Sequence, residues 1–563
     1  MGIPFYFKKL TSDFSDILSI NIPSGQCNRL FLDFNCGIHF CIGKIREENN
    51  KCSHTTFEDI LLKKCALLIE ELLDHTKPTQ LVYISIDGLP PMAKITQQRK
   101  RRYFSDWRKR QLLETFKDDD QKLHRELKHE WNSNLVTPGT KFMDRLMLHL
   151  QTFCDNYNKQ EGDHPIIILS PYKEKGEGEH KICHYIRQHD CHPNCIDVIY
   201  GLDADMILLG MLSNNSHNTY LLREAMFYKM KTNDNKQAKY LYLDLNRTTM
   251  CICEQWSTLL NTPIPSTPKE QKFIIKCYVV LTFLLGNDFL PNLSYLTLRG
   301  NGLETLLTTY KSTFDILNCH ILCNNNNNNN NELNIIFLTH LLETLSQNED
   351  IAFEQVEDDY FQRSPPNILS MIPVDKRNSF SFESKKLDFY PIFHKAPFKL
   401  FKDKMQSWRT NYYHYLFHHD ANNNPITDVC SNYIHGLVWC CDYYFKQHTN
   451  WAWFYRHNYS PTILDVSNYI CCLEHIPQFT SNTIGYNDDY VSISEQLLMV
   501  IPPSSKFIIP DNEHKKYMSH IHKGLVHNFP SDFKVVTYLK SQLHECYPQG
   551  VNLSEKITIQ TPI

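Results

Sequence analysis

The sequence predicts an α/β fold with a largely parallel central sheet flanked by helices, and three observations predict it. Short apolar runs of strand length alternate with longer runs of helical periodicity over the first 300 residues. Acidic residues recur where the strand-like runs end, which is where ligands gather in open parallel sheets. The chain has 563 residues and is 42% hydrophobic, enough for a substantial core divided over two or three coupled domains.

The strand-like runs are "RLFLDFN", "LVYISIDG", "PIIILSP", "IDVIYGLDAD" and "TYLLRE". Between them, "TFEDILLKKCALLIEELLDH" and "GTKFMDRLMLHLQTFCDNY" repeat apolar residues at helical spacing. Thr137 and Pro138 read as the start signal of the second helix. These runs assign residues 1–320 to one domain. Residues 321–404 read as a variable connector containing the polyasparagine run Asn324 to Asn331, which cannot bury apolar surface and is expected to be a disordered loop. From 405 to 563 the chain turns strongly aromatic, in "WRTNYYHYLF", "YIHGLVWCCDYYF" and "NWAWFYRHNYSP", and a second, mostly helical region is expected to pack on the first.

Composition narrows the possible functions. No apolar run reaches the roughly 18 residues that span a bilayer, and the N-terminus lacks a secretory pattern, so an intracellular protein with no membrane partner is expected. Twenty cysteines then read as reduced thiols. Cys183, His184, Cys191, His192 and Cys195 lie close together but match no paired zinc framework. With 58 basic and 62 acidic residues, total charge does not suggest nucleic acid, so the argument rests on local clusters.

Seven acids stand at strand ends or in glycine-flanked turns: Asp33, Asp87, Glu177, Glu179, Asp203, Asp205 and Asp288. Each alone has an ordinary role as a cap or turn residue. Seven together on one sheet edge would repel one another unless cations shared the site. No Cys or His interrupts the set, and oxygen-only donors suit Mg²⁺ or Mn²⁺. Two such ions form the clamp that phosphoryl displacement uses.

The other cluster is "DGLPPMAKITQQRKRRYF". As a helix it brings Lys94, Gln98, Arg101 and Arg102 near one face, a set that suits a phosphate. Arg99 and Lys100 would point elsewhere and only steer an anionic partner by charge. The competing readings are a solvated face or a nuclear import signal.

Taken together, "MGIPFYF", "LFLDFNCGIH", "IDGLPPMAKITQQRKRR", "TPGTKFM", "GEGEHKI", "YGLDADMILLG" and "FLLGNDFLP" resemble, in order, the XRN family of 5′→3′ exoribonucleases. "YIHGLVWCCDYYF", "WAWFYRHNYSP" and "EQLLMVIPPSS" resemble that family's second conserved block, so the likeness covers roughly residues 1 to 310 and 405 to 535. The resemblance implies a PIN/FEN-like nuclease core that uses magnesium or manganese. It implies processive degradation of single-stranded RNA from a 5′-monophosphate to mononucleotides, in mRNA decay or RNA processing and alongside decapping or RNA-processing factors. It makes the seven acids the catalytic, metal-binding set and Lys94, Gln98, Arg101 and Arg102 the terminal-phosphate pocket. It also makes His39 a base-stacking residue opposite Trp451 or Trp453.

Cys36 stands where the family usually has glycine, and the stretch before Ile563 follows the pattern loosely. The chain reads as a minimal, divergent member, its asparagine run pointing to an AT-rich, viral genome, with cytoplasmic residence favoured over nuclear. The alternatives are a flap-type 5′ nuclease acting on DNA and a catalytically inactive RNA-binding protein. Against the first, no helix-hairpin-helix element is evident; against the second, all seven matched acids are present.

Overall fold

Every one of the five apolar runs forms a strand in a computed structural model of the chain. The structure describes residue 3 and residues 5–22, 25–48, 53–118, 120–189, 191–213, 215–225, 238–323, 332–362, 368–374, 378–387, 408–417, 426–446, 449–473 and 491–510. The Asn324 to Asn331 run and the stretch after residue 510 lie outside them.

The strands are β1 (Leu18–Ser19), β2 (Arg29–Asp33), β3 (Leu81–Ser85), β4 (Ile166–Ser170), β5 (Asp197–Tyr200), β6 (Thr219–Glu224) and β7 (Tyr240–Asp244). They form one sheet in the order β1-β7-β6-β5-β2-β3-β4. From β4 across to β6 all pairings are parallel, whereas β7 runs antiparallel to β6 and β1 antiparallel to β7. The last two strands were not expected. β1 is two residues long, and "YLYLD" is too short a run to signal its own pairing direction.

Alternation along the strands divides the core into two layers. Phe31, Tyr83, Ile199 and Leu221 face one apolar cluster; Leu30, Leu32, Val82, Ile84 and Val198 face the other. The first cluster also contains Leu338, Leu341 and Leu342 from helix Ile335–Ser346 and Tyr433, Leu437 and Trp439 from helix Ile426–Phe445. The aromatic region thus shares a core with the sheet. Arg29 anchors the bottom of the sheet through a two-pronged pair with the buried Asp197, both contacts 2.7 Å.

One local expectation changes. Helix Lys141–Asn158 is capped by Thr140, whose hydroxyl accepts from Met143 N at 3.3 Å, not started by Thr137 and Pro138. Thr137 instead donates to the Asn134 carbonyl at 2.7 Å, because Gly139 turns the chain at φ +90 before the helix begins. Among the described residues no helix is long and apolar enough to cross a membrane.

Candidate active site

The chain leaves β2 toward β3 and β4 on one side and returns to β5 and β6 on the other, so a topological switch point lies between β2 and β5. Asp33 is the last residue of β2. Asp203 and Asp205 follow β5, with Asp205 opening helix Asp205–Met211. Asp87 lies just beyond β3, and Glu177 and Glu179 bracket the first residue of helix Gly178–Gln188. Asp288 arrives from a turn after helix Pro268–Phe283; Gly286 has φ +86 there, and a side chain on it would lie 2.6 Å from Asn292 N.

All seven acids meet at this edge, and their electrostatics record it. Burial, then the charges of Asp87, Asp203 and Glu177, push Asp33 well above the usual carboxylate range. Burial and Glu177 do the same to Glu179. Burial, Asp203 and Asp288 raise Asp205 to about 7. Carboxyl Oδ1 atoms of Asp33 and Asp205 are buried with no hydrogen-bond partner among the described residues. Unsatisfied hard oxygens held together against their own repulsion fit a divalent cation.

Several neighbours orient these acids. Gly178 N donates to Asp87 Oδ1 at 2.7 Å, and Asp87 N donates to Asn35 Oδ1 at 3.1 Å. Gly178 has to be glycine, since a Cβ there would sit 2.4 Å from Asp33 Oδ1. Lys181 Nζ donates to the carbonyls of Ile86 and Pro171, both at 2.8 Å, which fixes the ends of β3 and β4.

Helix Ile426–Phe445 contributes two adjacent buried tyrosines. Tyr443 OH donates to Glu177 Oε2 at 2.7 Å, and burial, then the neighbouring Asp205, pushes the Tyr444 hydroxyl well above its ordinary pKa. Gly436 lets this helix close on the Asp288 turn, because a Cβ there would meet Leu290 at 2.4 Å and Trp453 at 2.9 Å.

A histidine joins the acids as well. Glu177, Glu179 and His180 each offer one ligand atom, all within 4.8 Å of one another, so a nitrogen donor lies within reach of the acids. The His180 ring lies 3.8 Å from that of Tyr443, and burial, then Arg187 and Lys94, hold it well below its usual pKa. The "GEGEH" sequence contained this histidine next to both glutamates.

The basic helix is Met92–Thr115. Lys94 is turned into the carboxylates, 2.8 Å from Glu177 Oε1 and 2.9 Å from Asp288 Oδ2. Burial opposes its charge, but Asp288 and Glu177 outweigh burial and raise its pKa. Lys94 therefore stands apart from the other three expected phosphate residues. Gln98 Oε1 accepts from Arg102 at 3.2 Å, and Arg102 also donates to Thr137 Oγ1 at 3.0 Å. Arg101 is exposed.

His39 is exposed at the surface. Desolvation by the protein around the ring, then Arg101 and Arg102, holds its pKa down at about 4. Arg99 is not a steering charge: it is buried, donates to the Met499 carbonyl and lies 4.3 Å from the Tyr103 ring. Lys100 is half-buried, and burial lowers it to about 8. Trp451 is buried, and its carbonyl accepts from Met92 N at 2.8 Å at the start of the basic helix. Trp453 stacks 5.3 Å from Trp439.

Comparison with known proteins agrees with this geometry. Residues 1–225 match the family model described as XRN 5′-3′ exonuclease N-terminus, and residues 269–375 and 399–542 match the Xrn1 helical domain. The chain is 25% identical to 5′-3′ exoribonuclease 1 of Saccharomyces cerevisiae, over 91% of this chain and 40% of that one. It is 25% identical to human 5′-3′ exoribonuclease 1, over 95% of this chain and 32% of the human one. Identity reaches 30% with 5′-3′ exoribonuclease 2 of Candida albicans, over 63% of this chain and 40% of that one. The chain thus spans about a third to two fifths of these relatives. Between them the two family matches cover six of the seven strands, all seven acids and helices Ile335–Ser346 and Ile426–Phe445, and the chain belongs to the XRN family.

Proposed function

We propose that this chain is a 5′→3′ exoribonuclease that degrades single-stranded, 5′-monophosphorylated RNA processively to mononucleotides with two Mg²⁺ or Mn²⁺ ions. One observation carries the reading: seven carboxylates gather at one sheet edge, and a basic helix starts beside them, its Lys94 paired with two of the acids. The relatives' names, 5′-3′ exoribonuclease, support the direction of attack and RNA as the substrate.

Asp33, Asp87, Glu177, Glu179, Asp203, Asp205 and Asp288 would hold the ions. When bound, divalent cations supply Lewis-acid activation of water and neutralise charge on the phosphodiester. The protein's own residues then do the selecting. Arg101, Arg102 and Gln98 receive the 5′-phosphate, with guanidinium forks matched to its oxygens. His39, neutral at working pH, offers a ring face to the first base, and Trp451 is the better candidate for its counterpart because its backbone is tied to the basic helix. Lys94 tethers Glu177 to Asp288 and so connects the phosphate helix to the acids. Hydrolysis of the first phosphodiester frees a mononucleotide, and the shortened strand presents a new 5′-phosphate to the same arginines.

The test is incubation of the protein and Mg²⁺ with single-stranded RNAs bearing a 5′-monophosphate, triphosphate, cap or hydroxyl. Mononucleotide release from the monophosphate substrate far ahead of the others is expected. Equal digestion of all four would refute the phosphate pocket, and no release from any would refute the activity.

A further inference from the structure

Helix Ile426–Phe445 is buried along most of its length, yet its first turns carry a polar stripe: Asp428, Ser431, Asn432 and His435, at helical spacing i, i+3, i+4 and i+7. This stripe faces Trp453, Phe454 and Arg456 across a recess of about 420 Å³, a volume within the range of small-ligand sites. No part of the proposed mechanism uses it.

The lining combines three chemistries. Trp453 and Phe454 bring aromatic rings. Arg456 brings an exposed guanidinium with no ion pair among the described residues. Asn432 is only 7% exposed, and its Oδ1 accepts from Arg456 N at 3.0 Å, which fixes the amide so that its N–H₂ remains the donating end. His435 Nδ1 lies 2.8 Å from the Ser431 carbonyl and donates to it, which fixes the ring at the edge of the recess. Asp428 adds an exposed carboxylate acceptor.

Aromatic faces take a base, a guanidinium takes a phosphate, and a fixed amide with nearby acceptors meets a base edge. The lining residues of the helix precede Tyr443 by 8 to 15 positions, roughly 12 to 22 Å along the axis at about 1.5 Å per residue. One helix therefore carries the recess at its start and, near its end, the tyrosine that holds Glu177 and the tyrosine beside Asp205.

We propose that this recess is a second nucleotide-binding site, occupied by one nucleotide of the RNA strand whose 5′ end lies at the carboxylates. The strand assignment rests on the exoribonuclease reading; the nucleotide chemistry of the recess does not. A strand gripped at both ends of the helix would stay bound between successive cuts.

The experiment measures binding by the full chain, in EDTA so that nothing is cut, of a short 5′-hydroxyl oligouridylate and separately of uridine 5′-monophosphate. Arg456→Glu and Phe454→Ala are each expected to weaken oligouridylate binding about tenfold with the melting temperature preserved, the size of losing one stacked or charge-held nucleotide. Lys63→Glu, the same charge reversal at an exposed lysine of helix His54–Thr76, should leave binding unchanged. Equal losses in Lys63→Glu and Arg456→Glu would mean bulk charge and overturn the site, as would unchanged binding in both recess variants. Recess-dependent binding of uridine 5′-monophosphate without any of the oligouridylate would overturn the strand assignment. If the recess variants lose RNA while the unmodified chain with Mg²⁺ releases no nucleotide, the recess stands and the nuclease reading falls.

Discussion

The hydroxyl of Tyr443 donates to Glu177 Oε2 at 2.7 Å, across 266 positions of sequence. Lys94 holds the other oxygen of the same carboxylate at 2.8 Å, so Glu177 is fixed from both sides, once by the sheet domain and once by the aromatic helix. The Tyr443 ring is itself held, stacked 4.8 Å from Trp439. The helical region therefore acts on the acids directly, orienting the Glu177 carboxylate from outside the sheet domain.

Tyr443→Phe keeps the ring and its stacking but removes the donor. Mn²⁺ binding followed by electron paramagnetic resonance should weaken about tenfold, the lower end of what outer-layer partners contribute. The rate at saturating metal should recover toward that of the unmodified chain, and the melting temperature should hold. Unchanged metal affinity would show that the hydroxyl does not orient Glu177.

Gly178→Ala places a methyl group where it would be 2.4 Å from Asp33 Oδ1. The aspartate must swing away, and a displacement of about 1 Å at reacting groups costs on the order of a hundredfold in rate. A hundredfold fall in kcat with native circular dichroism is expected. Near-normal turnover would mean that the position of Asp33 is not critical.

Arg101→Ala should selectively erode the preference for a 5′-monophosphate. Arg101 is exposed, so folding should not change, while loss of a charge-assisted contact should cut the monophosphate-to-hydroxyl rate ratio about tenfold. A uniform loss on both substrates would assign Arg101 to general RNA attraction instead.

His39 gives the pH dependence. Its folded pKa, about 4, lies below the ordinary histidine value of about 6.5, so the folded protein binds fewer protons than the unfolded chain in between. The stability this neutral ring contributes is fully present above about pH 6.5 and is lost as pH falls toward 4. His39→Phe should flatten that acid-side decline in melting temperature, and the His39 ring should show no titration by NMR between about pH 5.5 and 8. A midpoint near 6.5 would place the ring in open solvent.

Much of the site was legible because strand ends announce themselves. An apolar run followed by Asp, as in "LFLDFN", specifies both the strand and the edge at which its acid emerges. Thr137 misled because a Thr-Pro pair reads as a start signal, while the actual cap, Thr140, waits on the turn at Gly139. Lys94 has the helical phase of Gln98 and Arg101, but phase does not report that the first turn of its helix abuts the acids. Tyr443 and Tyr444 could not be found by periodicity at all. They sit in a helix so apolar that their hydroxyls look incidental until the fold brings them to Glu177 and Asp205. His180 adjoins both glutamates in "GEGEH", but sequence adjacency does not show that its ring turns back toward them.

The central claim, hydrolysis from the 5′ end at the seven-acid edge, is tested most directly by one RNA labelled in parallel at either terminus. With a 5′-monophosphorylated single strand and Mg²⁺, the account predicts that the 5′ label leaves at once as a mononucleotide while the 3′ label stays in long RNA until late, and that Asp205→Ala abolishes both losses while still binding RNA. Early release of the 3′ label, internal fragments, or undiminished release by Asp205→Ala would contradict it.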